Sequence, residues 1–259
     1  MTYALPPGTF SPRPRRAPVA RMALAQGRVE AALMLRHGEQ LMLNLIIPAA
    51  ILIAAAKLPL PGAIDGRAAQ LSHLVPVVFA VAASSAGFTG QAIALAFDRR
   101  YGALKRAGAS GVPAWTIIAG KILGVLAMVA VQIIVLGALA LALGWRVSAA
   151  GAAFGALTLL LGVACFTALG LLMGGSLSSE LVLALANLAW LALVGTLGYV
   201  AYVGSLASAG WFNAVPTVAL AGALSQAFVG VVDSAAWIAL VAWAVLAVAA
   251  AVRWFRFDG

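Results

Sequence analysis

Charge is what this chain has least of. Lys, Arg, Asp and Glu make up 9% of its 259 residues, and 64% are hydrophobic. A soluble domain carries roughly 25% charged residues. There are too few polar side chains to cover a water-facing surface, so lipid is the solvent for most of the chain. Cysteine is nearly absent. Cys165 stands alone in an apolar run, so no internal disulfide can form and no Cys/His metal spacing exists. It reads as a small buried hydrophobe. No G-x-x-x-x-G-K-[ST] run occurs, so a phosphate-binding loop of that kind is excluded. The net charge of +9 comes without an aromatic-interleaved basic patch, so it indicates no nucleic-acid partner. It fits a positive-inside bias and contact with anionic lipid headgroups.

Long apolar runs are abundant. A spanning helix needs about 20 mostly apolar residues. Six stretches qualify, at about 41–57, 72–97, 115–143, 149–174, 181–203 and 235–252. The predicted fold is an all-α integral membrane protein with six transmembrane helices. Residues 204–234 are broken by Gly204, Gly210, Pro216, Gly222 and Gly230, yet remain apolar. They predict a re-entrant helical segment between the fifth and sixth spans, in the form of a pair of short helices covered by protein or a water-filled cavity. Residues 1–19 predict a disordered Pro/Arg-rich tail. Their basic residues are not followed directly by the short apolar stretch of a signal peptide. Residues 20–259 form a single six-span domain.

Lys and Arg counts orient the chain. With the N-terminus inside, 13 basic residues fall on the inner side, counting Lys121 as snorkelling there, and Lys57, Arg67 and Arg146 fall outside. Both termini are then cytoplasmic. Residues 20–38 predict a cytoplasmic interface helix lying at the membrane surface and touching a partner, with Arg28, Glu30 and Arg36 as its contact residues. Met22, Val29 and Leu33 share one stripe of that helix; Gln26, Glu30 and His37 share its neighbour.

Inside the spans, Pro48 and Pro76 predict kinks. Gly120 and Gly124, Gly151 and Gly155, and Gly170 and Gly174 predict close helix packing. No charged residue is central to a span, which disfavours a carboxylate proton relay and favours an energy source outside the membrane domain. Asn44, Gln91, Gln132 and Asn187 are the notable polar residues. Glu180 opens the fifth span, where a solvated carboxylate suits the helix dipole. Trp190, Tyr199, Tyr202, Trp211 and Phe212 gather toward the outer half as an interfacial belt. With Asn187 they are the candidate substrate pathway. Arg253, Trp254, Phe255, Arg256 and Phe257 read as an inner anchor.

The charges that do occur are concentrated. Asp98, Arg99, Arg100, Lys105 and Arg106 fall within nine residues, with Tyr101 and Gly102 between them, in the inner loop joining the second and third spans. Nearby, Gly108-Ala109-Ser110-Gly111 is similar to the nucleophile motif of rhomboid proteases. That chemistry needs a histidine beside the serine. His37 precedes the first span and His73 lies at the outer end of the second, so a small-residue turn is the better reading.

Four stretches together resemble the permeases of type-2 ABC exporters, a group that includes bacterial drug, polysaccharide and lipid exporters. These are Leu33–Arg36 running into Asn44–Pro48; Phe97–Arg106 continuing through Val112-Pro113 to Gly120–Leu123; Ala168–Gly175 leading to Glu180 and Ala186-Asn187; and the broken segment with Pro216. The likeness covers about 20–255. It implies a permease without enzymatic activity, paired with a second permease (the same chain or a paralogue). Two copies of a cytoplasmic P-loop ATPase would bind it and hold ATP and Mg, with no cofactor on this chain. Segment 98–112 would be the coupling helix entering the ATPase, with Asp98, Arg99, Arg100, Tyr101, Gly102, Lys105 and Arg106 at the contact. The implied location is the bacterial cytoplasmic membrane. The apolar pathway favours a hydrophobic drug or a lipid as substrate. The other class considered is a different polytopic membrane protein: a channel, an assembly factor or an intramembrane enzyme.

Overall fold

The computed structural model describes residues 17–36, 38–57, 66–109, 114–203, 206 and 209–254. Most of the tail expected over 1–19 lies outside these residues, as do His37, Ser110, Val112, Pro113 and Phe255–Phe257. Every regular element among the described residues is helical. In chain order they are α1 (Val19–Arg36), α2 (Gly38–Lys57), α3 (Arg67–Ser84), α4 (Gly90–Arg100) and α5 (Ala103–Ala109). Then come α6 (Ala114–Ala142), α7 (Ala149–Ser176), α8 (Ser179–Val203), α9 (Pro216–Phe228) and α10 (Ser234–Trp254).

Five of these runs are long and apolar enough to cross a membrane: α3 through α4, α6, α7, α8 and α10. In α2 the apolar stretch Asn44–Ala54 is shorter. The helix ends follow local chemistry. Ser148 Oγ accepts the Gly151 N–H at the start of α7, and Asp233 Oδ1 accepts the Ala236 N–H at the start of α10, each 3.0 Å. Pro216 opens α9, where its missing N–H costs nothing. Pro48 and Pro76 sit inside helices that neither interrupts.

α3 and α4 form one run of 34 residues through a π-helical turn, Ser85–Thr89. Such turns leave the regular hydrogen-bond ladder. Here the turn sits mid-run, where Ser85 donates to Asn44 Oδ1 of α2 (3.2 Å) and the Trp190 indole of α8 donates to Ser84 Oγ (3.2 Å).

The glycine pairs pack as the spacing predicts. A Cβ on Gly170 would lie 2.6 Å from the Phe88 carbonyl oxygen, and one on Gly174 would strike the Ala92 backbone, so α7 lies directly on the second span. Gly151 and Gly155 receive Phe228. That ring also meets Trp145 edge-on at 4.9 Å.

The interrupted segment is described in part. Among the described residues it holds a 3-10 turn, Gly210–Ala214, and the α-helix α9. Pro216 through Leu224 are buried without exception, with Leu220 seated on Gly162 at the middle of α7. An enclosed stretch of helix calls for apolar and small residues, and Pro216–Leu224 is made of them.

Helix α1 presents its more polar stripe to the protein. It lies along the first half of α6, and its inward residues are Gln26, Gly27, Glu30 and Met34. Leu24, Val29 and Leu33 are exposed. The more polar stripe turns inward because Gly27 allows contact with Leu123, and because α6 carries a cation there.

Candidate functional site

That cation is Lys121. It does not snorkel: its side chain is 3% exposed, and its Nζ lies 2.5 Å from Asp98 Oδ2 and 3.5 Å from Glu30 Oε1. An ammonium buried without a partner would cost several kcal/mol, on the order of the desolvation of one ion. Two carboxylates from two other helices meet that demand, and Gln26 Nε2 donates to Glu30 Oε1 at 3.2 Å. α1, α4 and α6 are thereby joined at one point.

Asp98 begins a sequence of three charges with three destinations. Successive helical residues point about 100° apart, at 3.6 residues per turn, so neighbours on α4 reach different helices. Arg99 is 4% exposed, and its Nη1 donates to the Gly174 carbonyl (2.9 Å) and the Leu177 carbonyl (2.8 Å). These are terminal carbonyls of α7, which lack intrahelical partners and attract positive charge. Arg100 Nη1 donates to Glu180 Oε1 (2.5 Å) and to Ser179 Oγ (3.2 Å) in the first turn of α8. Glu180 is thus a solvent-facing carboxylate with a partner.

After Arg100 the chain reverses. Gly102 adopts φ +67°, a left-handed conformation that suits glycine, and its N–H bonds the Arg99 carbonyl at 3.0 Å. α5 begins at once. Tyr101 stacks on Phe97 (centroids 5.9 Å apart) yet is 66% exposed. Lys105 and Arg106 are exposed, and Arg106 Nη1 donates back to the Tyr101 carbonyl (2.8 Å). The hairpin therefore has a root of Asp98, Arg99 and Arg100 set into three long helices, and a projecting tip of Tyr101, Lys105 and Arg106. On α1, Glu30 faces this network, while Arg28 and Arg36 are exposed.

The aromatic candidates separate. Tyr199, Phe212 and Trp211 form a ladder, with centroids 6.0 Å apart for the first pair and 4.0 Å for the second. Tyr202 is exposed beyond it. Trp190 is turned away toward Ser84. Asn187 Nδ2 donates to the Leu183 carbonyl of its own helix (2.7 Å). Neither composition nor spacing signalled the Glu30–Lys121 contact or the Asn44–Ser85 bond. The one available sign was that Lys121 and Asn44 are polar residues within apolar runs.

A family model described as ABC-2 type transporter matches residues 24–228. Among curated proteins and solved structures, nothing matches the chain.

Proposed function

Because this chain belongs to the ABC-2 type transporter family, as a multi-pass membrane permease and not a catalyst by itself, we propose that it is the transmembrane half of an ATP-driven exporter. A separate cytoplasmic P-loop ATPase, two copies per assembly, binds ATP and Mg and drives it. A second permease, the same chain or a paralogue, completes the pathway. In this reading α2 is a sixth span, 204–234 is re-entrant, both termini are cytoplasmic, and the membrane is a bacterial cytoplasmic membrane. The cargo is a hydrophobic drug-like compound or a lipid.

One observation carries the reading: three consecutive charges of α4 end on α6, α7 and α8, and an exposed tip projects beyond them. A push on Tyr101 or Arg106 would reach three long helices through hydrogen bonds and ion pairs. Packed elements respond to such a push by shifting as bodies rather than deforming. The coupling contact then divides in two. Tyr101, Lys105 and Arg106 meet the ATPase; Asp98, Arg99 and Arg100 hold the hairpin, and Gly102 makes its turn. Glu30 adds α1 to the same body, leaving Arg28 and Arg36 for the partner. Tyr199, Tyr202, Trp211 and Phe212 line the outward route, with Asn187 and Trp190 deeper.

The test is co-purification from native membranes followed by nucleotide-dependent efflux from liposomes. A P-loop ATPase in the complex and ATP-dependent movement of an apolar dye support the proposal. A chain that purifies without any ATPase, and a dye that moves equally without ATP, overturn it.

A further inference from the structure

The 34-residue run of α3 and α4 is divided at its middle by the π-helical turn Ser85–Thr89. The Gly90 N–H bonds the Ser85 carbonyl across five residues there. When pairing returns to four-residue spacing, one carbonyl is skipped, so the backbone ladder is weakest at this turn. The two halves of the run are anchored separately. Val78 through Ser84 of α3 are buried in the core. α4 ends in the charged root, tied to α6, α7 and α8.

Two side-chain clasps grip the turn from α2 and α8. They are Ser85 Oγ donating to Asn44 Oδ1 and the Trp190 indole donating to Ser84 Oγ. The side facing α7 is different. The Gly87 and Phe88 carbonyls point at Gly170, where a Cβ would lie 2.7 and 2.6 Å from the two oxygens. Thr167 stands on the same face of α7, three residues earlier. Its Oγ1 lies 3.4 Å from where a Cβ on Gly87 would be. Thr167 is 3% exposed, and its hydroxyl has no hydrogen-bond partner among the described residues. Thr89 Oγ1 is likewise buried without one. An unpaired buried hydroxyl is costly. A second arrangement of the turn, with a carbonyl swung onto Thr167, recovers that bond.

We propose that Ser85–Thr89 is a two-state hinge in the second span. In the present arrangement it is clasped by Asn44 and Trp190. When α4 tilts against α3 the clasps release, and Thr167 Oγ1 donates to a carbonyl of the turn. A few residues that absorb a backbone change between two packed bodies are the usual form of a hinge. The use of this hinge in transport rests on the exporter reading, in which a push on the hairpin tilts α4. The hinge itself belongs to this chain alone.

The test is hydrogen exchange of the purified full chain in lipid nanodiscs, read by mass spectrometry over residues 78–97. Ala86–Phe88 and Val78–Ala83 are equally buried, yet the former should exchange at least about tenfold faster, through local opening. Ser84→Ala with Ser85→Ala removes both clasps and should accelerate the turn roughly tenfold more. Asn44→Leu with Trp190→Phe removes them from the other side, and serves if the first pair fails to fold, as judged by helical content and elution volume. Thr167→Val keeps the shape but deletes the hydroxyl that the second arrangement satisfies, so it should slow the turn about tenfold. Exchange at the turn as slow as at 78–83, or a Thr167→Val rate equal to the wild type, overturns the proposal. No arm contains an ATPase or nucleotide, so the absence of an ATPase partner, which defeats the exporter reading, changes none of these results.

Discussion

Lys121 Nζ lies 2.5 Å from Asp98 Oδ2 although the two residues belong to different helices, and the lysine side chain is almost wholly out of solvent. With Glu30 at 3.5 Å on the other side, the ammonium is the shared counter-ion of α1 and α4. Lys121→Met removes it and leaves two carboxylates facing an apolar wall. Breaking a buried pair costs about 3 kcal/mol or more, so the thermal midpoint in detergent should fall by several degrees. Lys121→Arg, which keeps the charge, should lie close to the wild type. A Met variant as stable as the wild type would mean that the pair contributes nothing.

Arg99 holds the end of α7 through two carbonyls that one nitrogen, Nη1, serves at once. Arg99→Gln should leave at least one of them unpaired, at about 1–3 kcal/mol per orphaned group. Hydrogen exchange should accelerate locally, in the last turn of α7 and the first turn of α8. Arg99→Lys should give an intermediate rate. Uniform exchange across all three proteins would contradict a capping role.

The Arg100–Glu180 pair is the opposite case. Its side chains are 49% and 67% exposed, so solvent screens it despite the short distance. Glu180→Gln should leave the thermal midpoint unchanged within error. A clear drop would show that the pair is shielded in the assembled protein.

The glycines of α7 and α8 make a matched comparison. A side chain on Gly170 runs into the carbonyls of Gly87 and Phe88, while Gly195 of α8 has open space around it. Gly170→Val should abolish or strongly reduce folded protein, since even modest overpacking costs about 1–3 kcal/mol. Gly195→Ala should stabilise by roughly 0.5–1 kcal/mol through helix propensity. Equal thermal midpoints would remove the close-packing argument for this pair.

These contrasts show which features the sequence could disclose. Helix positions were legible because apolar length and glycine punctuation act locally. Gly120, Gly124, Gly170 and Gly174 were legible as packing positions because a missing side chain at four-residue spacing has one common use. The Asp98–Arg106 cluster stood out by charge density alone. The division of that cluster into root and tip was hidden, because it depends on which helix ends lie nearby: the carbonyls of Gly174 and Leu177, and the first turn at Glu180. The facing of α1 was hidden for a related reason. Its apolar residues fall on more than one face, and Lys121 on another helix draws Glu30 inward. The π-helical turn at Ser85–Thr89 left no compositional mark.

The account rests on the hairpin tip being the ATPase contact, and a photo-cross-linker placed at position 101 in living cells reads that contact directly. The Tyr101 position should yield a covalent adduct that mass spectrometry identifies as a P-loop ATPase, and the same probe at Tyr202 should yield none. An ATPase adduct from position 202, or none from 101 in cells where the chain is folded and in the membrane, would contradict it.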